Sequence, residues 1–269
     1  MIRKPAVAGR FYSGNARDLE AEARRLISFQ QPARRRSAIA VVCPHAGYMY
    51  SGGVAGQVLG AVKLPPSVVL VGPDHFGVAQ DFSVFDEGAW ETPMGRVEVD
   101  DALARALLDA SPLLETDCNG HQHDHCLEVM LPFLQTQSPP PRIAPILVGT
   151  LDETPLREAG ESVGAALKKM SPRPLLLASS DLNHYEPLEI SEAKDRRAIQ
   201  AMLQLDESLL MRECRRHNIT MCGIGAAYLT FVAAKRLGAS RAELIDYRTS
   251  ADAGADADSV VGYAGIVIW

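Results

Sequence analysis

The sequence predicts one α/β domain spanning residues 1–269, with a largely parallel or mixed central sheet flanked by helices. Three observations carry this expectation. Strand-like apolar runs and stretches with helical spacing alternate along the whole chain, the order that builds a sheet covered on both faces. The strand candidates, among them Ala38-Ile39-Ala40-Val41-Val42, Ser67-Val68-Val69-Leu70-Val71 and Leu175-Leu176-Leu177-Ala178, are near-continuously apolar, as strands buried on both sides are. Each of these three is followed by a histidine, namely His45, His75 and His184, and the last two have an aspartate close before them.

In chain order, Ala6 to Tyr12 reads as a short irregular apolar segment. Ala16 to about Ile27 has helical spacing, with Leu19, Ala23 and Leu26 on one face. Gln30 to Arg36 reads as an exposed connection leading to the first strand, which Pro44 stops. Gly47, Gly52 and Gly53 follow, a glycine density suited to close backbone approach to a ligand or a sharp turn. Val54 to Val62 is the expected crossover helix before the second strand. Phe82 to Phe85 alternates as a strand, and the glycines and proline between Gly88 and Val99 suggest a hairpin or an active-site flap. Asp100 or Asp101 should cap a helix through Leu108. Glu115 to His123 is a polar loop. Asp124 to Leu134 has helical spacing, with Pro132 expected to kink or shift the helix.

Ile143 to Gly149 reads as a strand, Leu156 to Lys169 as a helix, and Leu175 to Ala178 as the third histidine-ended strand. Helices follow over Ile190 to Leu205, Glu207 to His217, and from Cys222 to Leu237. Strands at Glu243 to Tyr247 and Val260 to Ile268 finish the chain, joined by Ala251 to Asp258, a short acidic segment expected to be mobile.

With 47% hydrophobic and 22% charged residues the chain has ample material for a core. A formal charge of −6 argues against nucleic acid or anionic membrane as partners, since neutralising phosphates needs clustered Lys and Arg. The basic run Arg34-Arg35-Arg36 is read as a solvated loop. No stretch approaches the ~20 apolar residues of a membrane span, and no long apolar core follows the first residues, so a cytoplasmic location is expected. Five cysteines without Cys-x-x-Cys spacing suit neither a disulfide framework nor a zinc knuckle.

Parallel neighbours deliver their carboxyl ends to one edge of a sheet, where ligands bind. If the three histidine-ended strands are parallel and adjacent, His45, His75 and His184 converge. The competing account of any one of them is a loop histidine satisfied by backbone carbonyls. Phosphate-loop and His-Glu-x-x-His signatures are missing. Gly223-x-Gly225 reads as close helix packing rather than a nucleotide fingerprint. What remains is a histidine-centred site, and neutral imidazole is the commonest metal ligand. From spacing alone a third ligand is open among Asp74, Asp181, Glu128, one of His121, His123 or His125, and a cysteine. Cys222 has the argument that a thiol at a helix's first turn ionises more easily, set against the ordinary fate of cysteine as a small buried apolar residue. His121 and His123 are read as a solvated loop. His125 shares a helix face with Glu128 if a helix starts there, and the pair then lines the cleft or supports a ligand. Met221 is expected to face the core.

Several motifs, in order and over essentially the whole chain, resemble the Memo family. They are Arg3-Lys4-Pro5-Ala6-Val7-Ala8-Gly9-Arg10-Phe11-Tyr12, Pro44-His45-Ala46-Gly47-Tyr48, Gly72-Pro73-Asp74-His75, Asp124-His125-Cys126-Leu127-Glu128, Ser179-Ser180-Asp181-Leu182-Asn183-His184, Cys222-Gly223 and Val260-Val261-Gly262-Tyr263. The resemblance implies a fold like that of the class III extradiol dioxygenases. It implies metal held by His45, His75 and Cys222, and it is the resemblance that selects Cys222. It also implies that Asp181 and His184 line the pocket, with His184 similar to the dioxygenases' acid/base histidine. Asp124-His125-Cys126 stands where the family often has Glu-His-Ser, and Asn183 where it has Ser. The dioxygenases complete their iron site with a carboxylate where this family has a thiolate, so ring cleavage does not transfer automatically.

The expectation is therefore a metal-dependent, oxidoreductase-like protein acting on a small substrate. Iron(II) comes first as its metal, with copper or zinc next. His184 is the expected general acid/base, Asp181 orients it or a water, and Asp74 supports from behind. The alternative is a non-catalytic module reusing the cleft for a peptide or protein, because animal members of the family are adaptor-like and recognise phosphotyrosine peptides. Zinc hydrolysis is a weaker option. Bacterial relatives imply association with a radical S-adenosylmethionine protein.

Overall fold

A computed structural model describes residues 1–27 and 35–269. The start of the basic run, at Arg34, and most of the connection read over Gln30 to Arg36 lie outside the described residues. A two-residue strand β1 (Ile2–Arg3) opens the chain, followed by α1 (Ala16–Ile27), β2 (Ala40–Cys43), α2 (Tyr48–Ala61) and β3 (Ser67–Pro73). Then come β4 (Phe82–Val84), β5 (Ala89–Thr92), β6 (Gly95–Glu98), α3 (Asp101–Ala110), β7 (Glu115–Thr116), α4 (Leu131–Gln135) and β8 (Arg142–Val148). The remainder is α5 (Glu153–Lys168), β9 (Leu175–Ser179), β10 (His184–Glu186), α6 (Leu188–Leu203), α7 (Glu207–His217), α8 (Ile224–Arg236), β11 (Ala242–Thr249) and β12 (Val260–Ile268).

The main sheet runs β10-β12-β2-β9-β3-β8-β4-β7, with β11 on the other side of β12. It is mixed. β2, β9, β3 and β8 are parallel neighbours, while β12 and β4 flank them antiparallel. The three strands read as ending in histidines are thus adjacent and parallel, with β9 in the middle, registered Val41↔Leu177 and Leu70↔Leu177. Alternate residues feed opposite cores, as the two-residue strand period requires. Ala40, Val42, Val69, Val71, Leu176 and Ala178 pack with α3, α5, α6, α7 and α8. Val41, Cys43, Val68, Leu70, Leu175 and Leu177 pack with α1, α2 and α4. No described helix is long and apolar enough to cross a membrane.

Several expectations are corrected. Gly88 to Val99 is a β5–β6 hairpin joined by β1 into a separate small sheet, and none of it lines the histidine pocket, so it is no active-site flap. Asp124 to Leu134 is not one helix. Residues 124–127 are irregular, Glu128–Met130 is a 3-10 turn, and α4 then carries Pro132 in its first turn, where a missing N–H costs nothing and no kink results. Of the glycines after β2, Gly47 lines the pocket, whereas Gly52 serves helix packing, since a Cβ there would stand 3.0 Å from Leu26 Cδ1 on α1. Within the acidic connection before β12, Ser250–Ala253 is a 3-10 turn closed by a capping box between Thr249 and Asp252.

Candidate metal centre

Parallel order puts the ends of β2, β9 and β3 side by side, and the residue two beyond each end is His45, Asp181 and His75 respectively. His184 arrives differently. It opens β10, whose pairing with β12 (His184↔Val261) turns it back over the same edge. Cys222 is delivered by the start of α8. Gly223 makes that approach possible, because a Cβ there would lie 2.3 Å from the Ser179 carbonyl at the end of β9. His45, His75, His125, Asp181, His184 and Cys222 all border one cavity of about 590 Å³.

Hydrogen bonds assign the tautomers. Ser179 Oγ donates its proton to the Cys126 carbonyl (2.7 Å) and lies 2.8 Å from His45 Nδ1. It must therefore accept there, which leaves the lone pair of His45 on Nε2. The Nε2 atom stands 3.2 Å from Cys222 Sγ. His75 Nδ1 donates to Asp124 Oδ1 at 3.0 Å, while the His75 backbone N–H donates to Asp124 Oδ2 at 2.7 Å. His184 Nδ1 donates to the Thr220 carbonyl at 2.9 Å. Three imidazoles thus have Nδ1–H engaged and a bare Nε2, the arrangement that orients histidine as a metal ligand or base.

The charge states follow from burial and partners. Burial, reinforced by the neighbouring histidines, pushes His45 well below its ordinary range. Burial lowers His184 and takes His125 down to about 4. For His75 burial works the same way, but the hydrogen bond and charge of Asp124 outweigh it and raise its pKa. Asp124 is held well below the carboxylate range by His75 and backbone N–H groups, against burial that acts to raise it. Burial pushes Asp181 up to about 7, although its Oδ1 accepts from the His45 N–H at 2.7 Å. Burial also raises the Cys222 thiol, outweighing the helix start that was expected to ease its ionisation.

Other expected residues sit elsewhere. Asp181 was expected to orient His184 or a water; His184 is oriented by the Thr220 carbonyl instead. Asp74 spends its carboxylate on the N–H groups of Phe76, Gly77 and Ala79, shaping the loop beyond His75. Glu128 is fully buried away from the cavity, paired to Arg3 at 2.7 Å and accepting from Ala6 N, Val7 N and Tyr12 OH. It therefore shares no helix face with His125, which precedes the 3-10 turn. Arg3 also donates to the carbonyls of His121 and Asp124 and lies 4.2 Å over the Trp90 ring. This network pins the first residues to the loop carrying Asp124 and His125. His121 is buried, not solvated, with Nε2 on the Ser83 carbonyl, whereas His123 is exposed. Met221 packs in the core. Sequence reasoning missed Ser179, Asp124 and Thr220 as partners of the three histidines. The two polar side chains lie within or beside quoted motifs, but a backbone carbonyl leaves no mark in sequence.

A mixed α/β domain with a histidine-and-thiol pocket at the carboxyl edge of its parallel strands is the class defined here. A solved structure of an uncharacterized protein from Escherichia coli K12 is similar in fold, with a TM-score of 0.55 at 11% identity, covering 86% of this chain and 100% of that one. The model for Memo-like proteins matches residues 3–267. A MEMO1 family protein of Methanosarcina barkeri is 38% identical over 268 residues, covering 99% of this chain and 100% of that protein. One of Methanopyrus kandleri is 36% identical over 283 residues, covering 99% of each. The chain belongs to the Memo family.

Proposed function

We propose that the pocket binds a transition metal through His45, His75 and Cys222, and that with iron or copper the protein is a metal-dependent oxidoreductase acting on a small substrate. The observation that carries this is the pair of Nε2 donors on His45 and His75, each with Nδ1 engaged, beside a sulfur 3.2 Å from the first. The donor chemistry fits. Two imidazoles and a thiol suit iron, copper or zinc better than hard cations, and the raised thiol means that the cation itself must displace the Cys222 proton. Iron(II) is the first choice, with copper or zinc next. When bound, such a metal supplies Lewis acidity and, for iron or copper, electron transfer.

The chain's own residues supply the rest. His184 is kept neutral by burial and fixed by Thr220, so its Nε2 is ready to take a proton from a substrate and return it. Asp181, near neutrality, offers a second proton store on the same wall. The test is metal analysis of anaerobically purified protein, with metal-dependent oxygen consumption, in wild type, His45→Ala and Cys222→Ser. Stoichiometric metal in the wild type, its loss in His45→Ala, and turnover in the wild type alone are expected. A wild type that takes up no metal would refute the reading.

A second reading is favoured by one feature, the exposed apolar groups at the mouth. Met49 is 69% and Tyr185 75% exposed, and exposed apolar groups around a cleft suit a peptide or protein partner. Stoichiometric metal without turnover would favour it. Association with a radical S-adenosylmethionine protein belongs to the same proposal and is supported by the family resemblance alone.

A further inference from the structure

A second nitrogen donor stands in the same cluster. One ligand atom from each of His45, His75 and His125 lies within 4.8 Å of the other two, and among the described residues no such group of three includes Cys222. The rings of His75 and His125 are nearly parallel, 16° apart with centroids at 4.8 Å. His45 meets both edge-on, at 82° and 87°. A single oxygen, Asp124 Oδ1, lies 3.0 Å from His75 Nδ1 and 3.9 Å from His125 Nδ1. One carboxylate therefore backs both rings on the same side, and the opposite nitrogen of each, Nε2, faces away from it. Phe11 holds the His125 ring in place, with centroids 4.7 Å apart.

We infer that His125 is a cation ligand, and that the pocket offers two overlapping donor triads sharing His45 and His75, an all-nitrogen one completed by His125 and a sulfur-containing one completed by Cys222. The inference rests on the metal-binding reading above and adds to it a basis for metal choice. Bonds of about 2.0–2.1 Å hold three nitrogens around one ion at most about 3.6 Å apart, so ring rotations that bring the nitrogens about an ångström closer together close the nitrogen triad. Three imidazoles suit zinc(II) and copper(II), whereas the triad with the soft thiolate suits copper(I). His45 links the two, because it stands 3.2 Å from the sulfur and within the histidine group.

The test uses metal-free full-length protein, titrated with zinc(II) and, anaerobically, with copper(I) against chromophoric chelators. His125→Ala should weaken zinc(II) by about tenfold or more and leave copper(I) within about threefold, and Cys222→Ser should do the reverse. Variants are compared only after circular dichroism and thermal unfolding match the wild type. Independently of any variant, nitrogen-15 NMR of labelled histidines in the wild type should show the Nε2 resonances of His45, His75 and His125 shifting together with zinc(II). A His125 resonance that stays still while the other two move, or a zinc(II) affinity unchanged in His125→Ala, overturns the inference and leaves the His45, His75 and Cys222 site standing. A wild type that binds neither ion refutes both.

Discussion

Ser179 decides which nitrogen of His45 faces the cavity. Its only proton goes to the Cys126 carbonyl, so it can only accept from Nδ1. Replacing it with alanine frees the ring to adopt the other tautomer and to rotate. Ser179→Ala should therefore lower zinc(II) affinity by ~10–100-fold, the usual cost of losing a hydrogen bond behind a metal ligand, while Ser179→Thr keeps the hydroxyl and most of the affinity. Chelator competition on the metal-free protein measures both, and equal affinities for alanine and wild type would sink the argument. The histidines themselves were legible, because a ring just beyond an apolar strand is a sequence pattern. Their partners were not, since Asp124 reaches His75 from a separate segment and Thr220 serves His184 through its carbonyl. His121 was misread for a related reason. Its neighbours in sequence are polar, but Phe85 and Trp90 enclose it from elsewhere in the chain, with centroids at 5.7 Å from its ring.

The pairing of α5 with α8 is the largest helix–helix contact behind the site, and α8 is the element that delivers Cys222. It depends on Gly160 and Gly164, one turn apart on α5. A Cβ at Gly160 would lie 2.7 Å from Val232 Cβ and 2.8 Å from the Leu229 carbonyl, and one at Gly164 would lie 2.9 Å from the Ala233 carbonyl. In a solvent-exposed helix, Gly→Ala gains up to ~1 kcal/mol in propensity. Here overpacking opposes that gain with a cost of ~1–3 kcal/mol, and rigid backbone is among the atoms met. Gly160→Ala should be net destabilising by ~1–2 kcal/mol in urea unfolding, and a stabilised variant would show that the helices separate freely. Regular elements such as α5 and β3 were legible to within a few residues, because their periodicity is local. Residues 124–130 were not. Their apolar spacing mimics a helix, but Asp124 accepts from the N–H groups of His75 and Cys126, and Glu128 accepts from the strap at Ala6 and Val7. Those tertiary bonds hold the backbone in a shape that local propensity alone would not select.

Across the whole molecule, buried titratable groups pull stability in opposite directions with pH. Burial raises Asp181 to about 7 and Asp195 to about 6. Above the ordinary carboxylate range the folded state therefore binds protons that the unfolded chain has lost, and each group makes stability fall as pH rises from ~4 toward its folded value. His121 and His125, both lowered to about 4, do the reverse. Below ~6.5 the unfolded chain binds protons that the fold refuses, so stability falls on acidification, and His45 and His184 act in the same sense. His75 is raised, so its contribution is present below ~6.5 and is lost as pH rises through its folded value. Four imidazoles oppose two carboxyls on the acid side, which places the stability maximum of the metal-free protein near pH ~6.5. Asp181→Asn keeps an oxygen for the His45 N–H and cannot ionise. It should match the wild type near pH 4, steepen the rise above it by about 1.4 kcal/mol per pH unit, and exceed the wild type by up to ~4 kcal/mol at pH 8. Urea unfolding of both proteins at fixed pH between 4.5 and 8 measures the difference. A variant no more stable than the wild type at pH 8 would mean that Asp181 ionises in the fold without cost, and that it is no store for a proton.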